Sequence, residues 1–294
     1  MSSNAPFFSV VIPTYNRANM ISGAIQSVLD QTFKNFELII IDDGSTDQTA
    51  DVIAGFSDER IKYNYQQNTE RSQARNNGIK IASGRYICFL DSDDQYCSNH
   101  LQVFYEYVTQ HHFPVALLFS NPIVIHQNVE KKDVYSSPEK DDVLSYILHH
   151  SIIPDRVCIH RSIFDKYLFN PAVRIGEDTI LWAQVTTEFP LLHLNAYTIK
   201  YQVHDDNSVN LKNNVYRDRL NGLLELFEQQ AIKKKLNRKL KNEIMSVCYY
   251  GIARHHQLKR NFLSMCVNAL LSILYNVNNP QTKAKLYMIY AYFR

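Results

Sequence analysis

Asp91-Ser92-Asp93-Asp94 stands directly after an apolar run, residues 86–90 (YICFL), and Asp42-Asp43 directly after another, residues 36–41 (FELIII). Carboxylates grouped in this way repel one another unless they are neutralised. A hard cation such as Mg²⁺ or Mn²⁺ does so with one or two carboxylates, taking its other ligands from phosphates and water. The same residues also have a local reading, with Asp93 or Asp94 capping a helix and Asp42-Asp43-Gly44 forming a turn. Other polar groups stand at comparable places. Tyr15 follows the run 7–12 (FFSVVI) and offers either a face for a nucleobase to stack on or a ring buried under the loop. Asp43 can accept from an imide N–H such as that of uracil, or make an Asx turn into Gly44. Arg75 lies near a helix start, where it reaches a base or phosphate or forms a surface ion pair. Glu177-Asp178 opens a helical pattern, where the macrodipole favours acids.

The elements that must position these residues are readable from hydrophobic periodicity. Residues 7–12, 36–41, 61–65 and 86–90 read as strands. The intervening stretches 18–29, about 46–56 and 72–82 read as helices, the second capped by Thr46 or Asp47, and 99–109 is helical again. Strands alternating with helices of this length predict βαβ units and a mostly parallel sheet, whose ligands sit beyond the carboxyl ends of the strands. Pro13-Thr14-Tyr15-Asn16, Asp42-Asp43 and Asp91–Asp94 would then share one edge. The middle is less regular. Residues 115–126 read as a strand broken at Pro122, 131–142 as a surface loop, 143–149 and 177–189 as helices, and 197–203 as a strand leading to His204. From Val215 onward the pattern is helical.

Composition narrows the function classes. With 45% hydrophobic and 20% charged residues in 294, the chain has a globular balance. Neither G-x-G-x-x-G nor G-x-x-x-x-G-K-[ST] occurs, which excludes the dinucleotide fingerprint and the P-loop. The five cysteines form no C-x-x-C pair, so isolated thiols in a reducing compartment are expected, without structural zinc. No basic region precedes a long apolar run at the N-terminus, so a cytoplasmic chain without a signal peptide is expected. The net charge of +2 hides an asymmetry: residues 1–211 carry 16 Lys+Arg against 25 Asp+Glu, and residues 212–294 carry 15 against 4. Two parts with two jobs are expected, divided near residue 211.

Five segments fall in one order: P-T-Y-N-R, E-L-I-I-I-D-D-G-S-T-D, A-R-N-x-G-I, G-R-Y-I-C-F-L-D-S-D-D and G-E-D. In these the chain resembles the family 2 glycosyltransferases over roughly residues 7–208. The resemblance implies a GT-A fold, α/β with a mostly parallel, Rossmann-like sheet and flanking helices. Residues 1–95 would form its nucleotide-binding half and 96–211 its acceptor half, with 212–294 an all-helical basic extension. It implies inverting transfer of a sugar from a nucleotide-diphosphate donor, UDP above all, to a hydroxyl of a glycan or lipid-linked acceptor in surface polysaccharide assembly. Carried onto this sequence, Pro13, Thr14, Tyr15, Asp43, Arg75, Asp91 and Ser92 would bind the donor nucleotide. Asp93, with Asp91 and His204, would hold Mn²⁺ or Mg²⁺ on the diphosphate. Asp178 would be the general base, with Glu177 orienting it or contacting the acceptor. One departure stands out: where the family often has glycine shortly before A-R-N, this chain has Thr69-Glu70-Arg71-Ser72, which makes Arg71 a second candidate for phosphate. A nucleotidyltransferase and a catalytically silent scaffold of the same fold are the rival readings; P-T-Y-N-R is not a Gly/Lys-rich phosphate loop, and Asp93 and Asp178 are intact.

Lysines 233–235 and Arg238, Lys239 and Lys241 crowd the basic region without a nucleic-acid motif, so no nucleic-acid partner is expected. In residues 262–277, Ser264, Asn268, Ser272 and Asn276 recur every four positions and make a narrow polar stripe on an apolar helix. Such a helix suits the inside of a small bundle, with an assembly contact, or a membrane surface at the inner face of the membrane.

Overall fold

The computed structural model describes residues 5–139, 141–204, 214–279 and 281–290. The chain forms β1 (Phe8–Thr14), α1 (Ile21–Leu29), β2 (Phe36–Asp42), α2 (Thr49–Ala54), β3 (Ile61–Tyr65), α3 (Glu70–Ile81), β4 (Tyr86–Phe89), β5 (Gln95–Tyr96) and α4 (His100–Gln110). It continues through β6 (Leu117–His126), β7 (Val129–Lys132), α5 (Val143–His149), β8 (Val157–His160), α6 (Glu177–Val185) and β9 (Leu191–Val203). Five helices close it: α7 (Val215–Glu228), α8 (Gln230–Lys233), α9 (Arg238–Leu258), α10 (Phe262–Tyr275) and α11 (Thr282–Tyr290).

One compact unit comprises Met1–Val143, Ser151–Ala172 and Glu188–His204, and it contains the whole sheet. The strand order is β3-β2-β1-β4-β8-β6-β9-β5, with β7 on β6. β3, β2, β1 and β4 run parallel, as the apolar runs predict. Beyond β4 the sheet is mixed: β8 is antiparallel to both β4 and β6, while β6 and β9 run parallel. β1 and β2 are buried along their entire length, which fits central strands covered on both faces. Pro122 does not break its strand. β6 runs through it, and the register against β9 shifts on either side of Asn121, so the missing N–H is absorbed by a bulge. β9 begins six residues earlier than the alternating pattern, and α6 ends at Val185.

A second compact unit comprises Leu144–His150, Val173–Thr187 and Asp205–Arg294. It groups most of α5 and α6 with the C-terminal helices, while the boundary expected near residue 211 lies outside the described residues. The polar stripe of α10 is turned inward: Asn268 and Ser272 are buried in this unit. Ser246 Oγ donates to the Ser272 carbonyl (2.7 Å) and Ser272 Oγ to the Ser246 carbonyl (2.6 Å), clasping α9 to α10.

Two close approaches position α3 in the first unit. A Cβ on Gly78 would lie 2.3 Å from Val11 Cγ1, so only glycine lets α3 rest this closely on β1. Two residues earlier, Asn76 clasps residue 169: its Nδ2 donates to the Phe169 carbonyl (2.8 Å) and its Oδ1 accepts from the Phe169 N–H (3.0 Å). The helix starts at Glu70, whose φ of 72° lies in the left-handed region. That is the stretch in which the sequence lacks the glycine of similar chains, and the backbone has kept a glycine-like conformation there. A Cβ in that region costs about 1–2 kcal/mol. Glu70→Gly and Glu70→Ala both remove the side chain, so the difference between them isolates the backbone. Thermal unfolding should show the glycine variant more stable than the alanine variant by about 1 kcal/mol. Equal stabilities would mean that this turn relaxes at no cost.

Candidate active site

The carboxyl ends of β1, β2 and β4 carry the polar groups that the sequence singles out. Thr14 and Asp42 end the paired strands β1 and β2, and the Asp43 N–H donates to the Thr14 carbonyl (2.8 Å), which ties the two loops together. The Thr14 hydroxyl is buried with no hydrogen-bond partner among the described residues. Tyr15 projects outward at 46% exposure, not under the loop. Pro13 is buried in β1.

The two acids after β2 differ. Asp42 has both oxygens engaged, Oδ1 by the Ser45 N–H (2.8 Å) and Oδ2 by the Tyr63 hydroxyl (2.8 Å). It is a turn-former, and burial together with Asp42 pushes the Tyr63 phenol up to about 12. Asp43 receives the Gln66 amide (2.6 Å), the Thr69 N–H (2.9 Å) and the Thr69 hydroxyl (3.2 Å), and all three land on Oδ1. Its Oδ2 takes part in none of these bonds, so it can serve a ligand without disturbing the loop. Gly44 completes the turn at φ 87°. Asp47, not Thr46, serves the start of α2, accepting the Thr49 N–H (3.0 Å).

Arg75 is 1% exposed, with its guanidinium over the Phe169 ring that Asn76 holds in place. Its Nη2 lies 2.6 Å from Asp91 Oδ1, a buried cation on a half-buried carboxylate. The Asp91 N–H donates to Asp155 Oδ1 (2.8 Å). Ser92 is buried in the turn. Asp94 caps no helix, because β5 follows and α4 begins only after Asn99. It is buried and instead accepts the Gln202 N–H of β9 (2.7 Å). That bond brings the end of β9 to the acidic loop, and His204 Nε2 then lies 3.0 Å from Asp93 Oδ2 across 111 positions of sequence.

Asp155 was not visible as a site residue in the sequence, although an acid inside the apolar run 152–159 is a signal in itself. It is 0% exposed, and its Oδ2 is buried with no donor directed at it. Such an environment favours the neutral form of the carboxyl. Burial, then the Asp91 and Asp94 charges, hold this carboxyl well above the usual range, and it donates to Asp94. Asp94 is itself pushed up to about 7, chiefly by burial.

Asp91 is neutralised by Arg75 and Asp94 by Asp155 and β9, which leaves Asp93 and His204 adjacent to each other. One carboxylate and one imidazole fit a cation that draws its remaining ligands from a diphosphate and water. Among the described residues no group of three His, Cys, Asp or Glu side chains is arranged to hold a metal. Glu177 and Asp178 belong to the second unit and are described within it. Glu177 is buried, and Asp178 is half-buried at the start of α6, its Oδ1 accepting from the Thr179 N–H (2.5 Å).

The proton on Asp155 yields a test. Asparagine reproduces a protonated aspartate, accepting from Asp91 and donating to Asp94. Asp155→Asn should stay within about 1 kcal/mol of the wild type, while Asp155→Ala leaves two buried groups unpaired and should cost about 1–3 kcal/mol in denaturant unfolding without added metal. Equal losses would mean that an ionised carboxylate is required. The sign with pH follows from Asp94. The folded state holds the Asp94 carboxyl's own proton to about pH 7 and the unfolded chain releases it near 4. This contribution is therefore full below pH 4 and lost as the pH rises to 7.

Comparison with known proteins places these features. The model of glycosyl transferase family 2 matches residues 9–168. A β-1,3-glucosyltransferase of Escherichia coli, named for UDP-Glc and α-D-GlcNAc-diphosphoundecaprenol, is 32% identical over 252 residues, 83% of this chain and 92% of that protein. The Campylobacter jejuni GalNAc(5)-diNAcBac-PP-undecaprenol β-1,3-glucosyltransferase is 28% identical, covering 94% of this chain and 91% of that protein. An uncharacterized glycosyltransferase of Rickettsia bellii is 33% identical over 215 residues, and this chain spans only 30% of its length. Among solved structures, S. aureus TarS 1-349 in complex with UDP-GlcNAc superposes with a TM-score of 0.63 at 16% identity, covering 97% of this chain and 91% of that one. At that identity the likeness speaks for the fold alone, which is GT-A. The chain belongs to glycosyltransferase family 2.

Proposed function

We propose that the protein transfers a sugar from a UDP-sugar donor to a hydroxyl of a lipid-linked glycan acceptor, with inversion at the anomeric carbon. The observation that carries the donor half is the convergence of Asp93 with His204 beside the buried Arg75–Asp91 pair. The acceptor class is supported by the names of the relatives, two of which act on undecaprenol diphosphate-linked glycans. In this reading residues 1–95 bind the donor, residues 96–211 contribute the acceptor side, and residues 212–294 form the extension.

The uracil stacks on the exposed Tyr15 ring and donates its imide N–H to Asp43 Oδ2. Pro13, Thr14 and Ser92 line the approach, and the buried Thr14 hydroxyl gains a partner there. Asp91, fixed by Arg75 and by its own N–H, orients the ribose. Asp93 and His204 would hold Mn²⁺ or Mg²⁺, which supplies Lewis-acid stabilisation of charge on the departing diphosphate. Arg75 adds a positive charge that needs no reorganisation, because burial and the Phe169 ring already hold it. Asp178 takes the proton of the acceptor hydroxyl as it attacks from the face opposite the leaving group, and Glu177 contacts the acceptor.

Two measurements test these roles. In titration calorimetry, wild-type affinity for UDP should rise with Mn²⁺, and Asp93→Ala should abolish that dependence. Equal wild-type affinity with Mn²⁺ and with chelator contradicts the metal assignment. Asp178→Asn keeps the shape and removes the basicity, so transfer should fall about a hundredfold or more while UDP binding is unchanged. Near-normal turnover would move the base elsewhere, first to Glu177.

A further inference from the structure

Two C-terminal helices of the second unit, α10 and α11, expose a run of large apolar residues. In a bundle surrounded by water, a helix turns its apolar stripe inward and its polar stripe outward. α10 departs from this: beside the apolar residues Met265, Cys266 and Ala269 it buries polar ones, and it leaves large aliphatic residues outside. It has no charged residue, its Asn268 and Ser272 are buried, and Leu263, Val267, Leu270 and Leu274 recur at positions i, i+4, i+7 and i+11 on the exposed side. Leu263 and Leu274 are each 75% exposed. α11 packs against α10 and adds Leu286 and Tyr287, exposed at 53% and 72%.

The buried polar groups are satisfied within the unit, so this orientation is specified and not an accident of loose packing. The reciprocal Ser246–Ser272 bonds clasp α9 to α10, Lys285 Nζ donates to Ser246 Oγ (3.2 Å), and Asn268 Nδ2 donates to the Ser264 carbonyl (2.7 Å). Serines joining helices while leucine faces outward is the pattern of a surface whose outer medium is apolar. Charge says which medium. After Glu243 the sequence contains no Asp or Glu to its end, against six Lys+Arg. Lys259 and Arg260 directly precede α10 and Lys283 lies in α11, all exposed. Basic residues beside an apolar face complement an anionic lipid surface. No helix among the described residues is long and apolar enough to cross a membrane, so such a face would lie on the bilayer, not through it.

We propose that the exposed face of α10 and α11 inserts into the interfacial region of an anionic phospholipid bilayer. The face belongs to the second unit and the donor residues to the first, and UDP affinity without vesicles reports on the donor residues by themselves. The test uses the full chain and vesicles of phosphatidylcholine with or without phosphatidylglycerol. Co-sedimentation should occur with the anionic vesicles and weaken at high salt. Leu263→Gln/Leu274→Gln should lower partitioning about tenfold or more while leaving UDP affinity unchanged. Leu270→Trp should shift its emission to the blue on binding, against the constant background of Trp182, which is fully buried. Absence of binding at low salt overturns the proposal. So does binding without the emission shift, which would leave only electrostatic adhesion. A concentration-dependent dimer abolished by the leucine substitutions, with no vesicle binding, would assign the face to a second copy of the chain.

Discussion

Asp42, Asp43, Asp91, Asp93, Asp94 and Asp155 crowd the carboxyl edge of the sheet, and like charges at that density cannot all stay ionised and uncompensated. The first unit meets this constraint in four ways. Backbone amides, side-chain amides and hydroxyls take up Asp42 and Asp43. A buried guanidinium takes Asp91. Burial and the neighbouring charges push Asp155, which lies against Asp94, toward its neutral form. His204 stands against Asp93. In the proposed reading the other acids build the site and Asp93 serves it.

The supporting elements follow from that sorting. Arg75 can be buried beside Asp91 only if α3 lies close on β1, which Gly78 permits, and only if its flat side is covered, which Phe169 does while Asn76 holds it. Asp155 reaches the Asp91 N–H from the short turn before β8, the strand that reverses the direction of the sheet. β9 comes to the acidic loop through the bond from Gln202 to Asp94 and so delivers His204. A donor site of this kind is a property of the sheet's topology as much as of any one motif.

Much of this was legible in the sequence because apolar β-branched runs and helical spacing are local signals. β3 and α5 fall where the pattern puts them, and β1, β2 and β4 differ by a residue or two. The acids after β2 and β4 were legible for the same reason. What was not legible depends on partners far apart in the chain. Asp94 read as a helix cap because only the fold brings Gln202 to it. Asp155 hid in an apolar run because its role rests on a neighbour 64 residues away. Pro122 read as a break because the compensating shift lies in the pairing with β9. The stripe in α10 gave the right residues, but periodicity alone cannot say which face of a helix looks inward; Ser246 on another helix decides it.

The account's central claim is that Asp93 and His204 form the protein's share of a cation site completed by the donor diphosphate. Crystals grown with UDP and Mn²⁺ and measured at the manganese edge address it most directly. The account predicts one strong anomalous peak within bonding distance of the Asp93 carboxylate, the His204 imidazole and the diphosphate oxygens. A bound diphosphate with no peak there, or a peak coordinated by other residues, would contradict it.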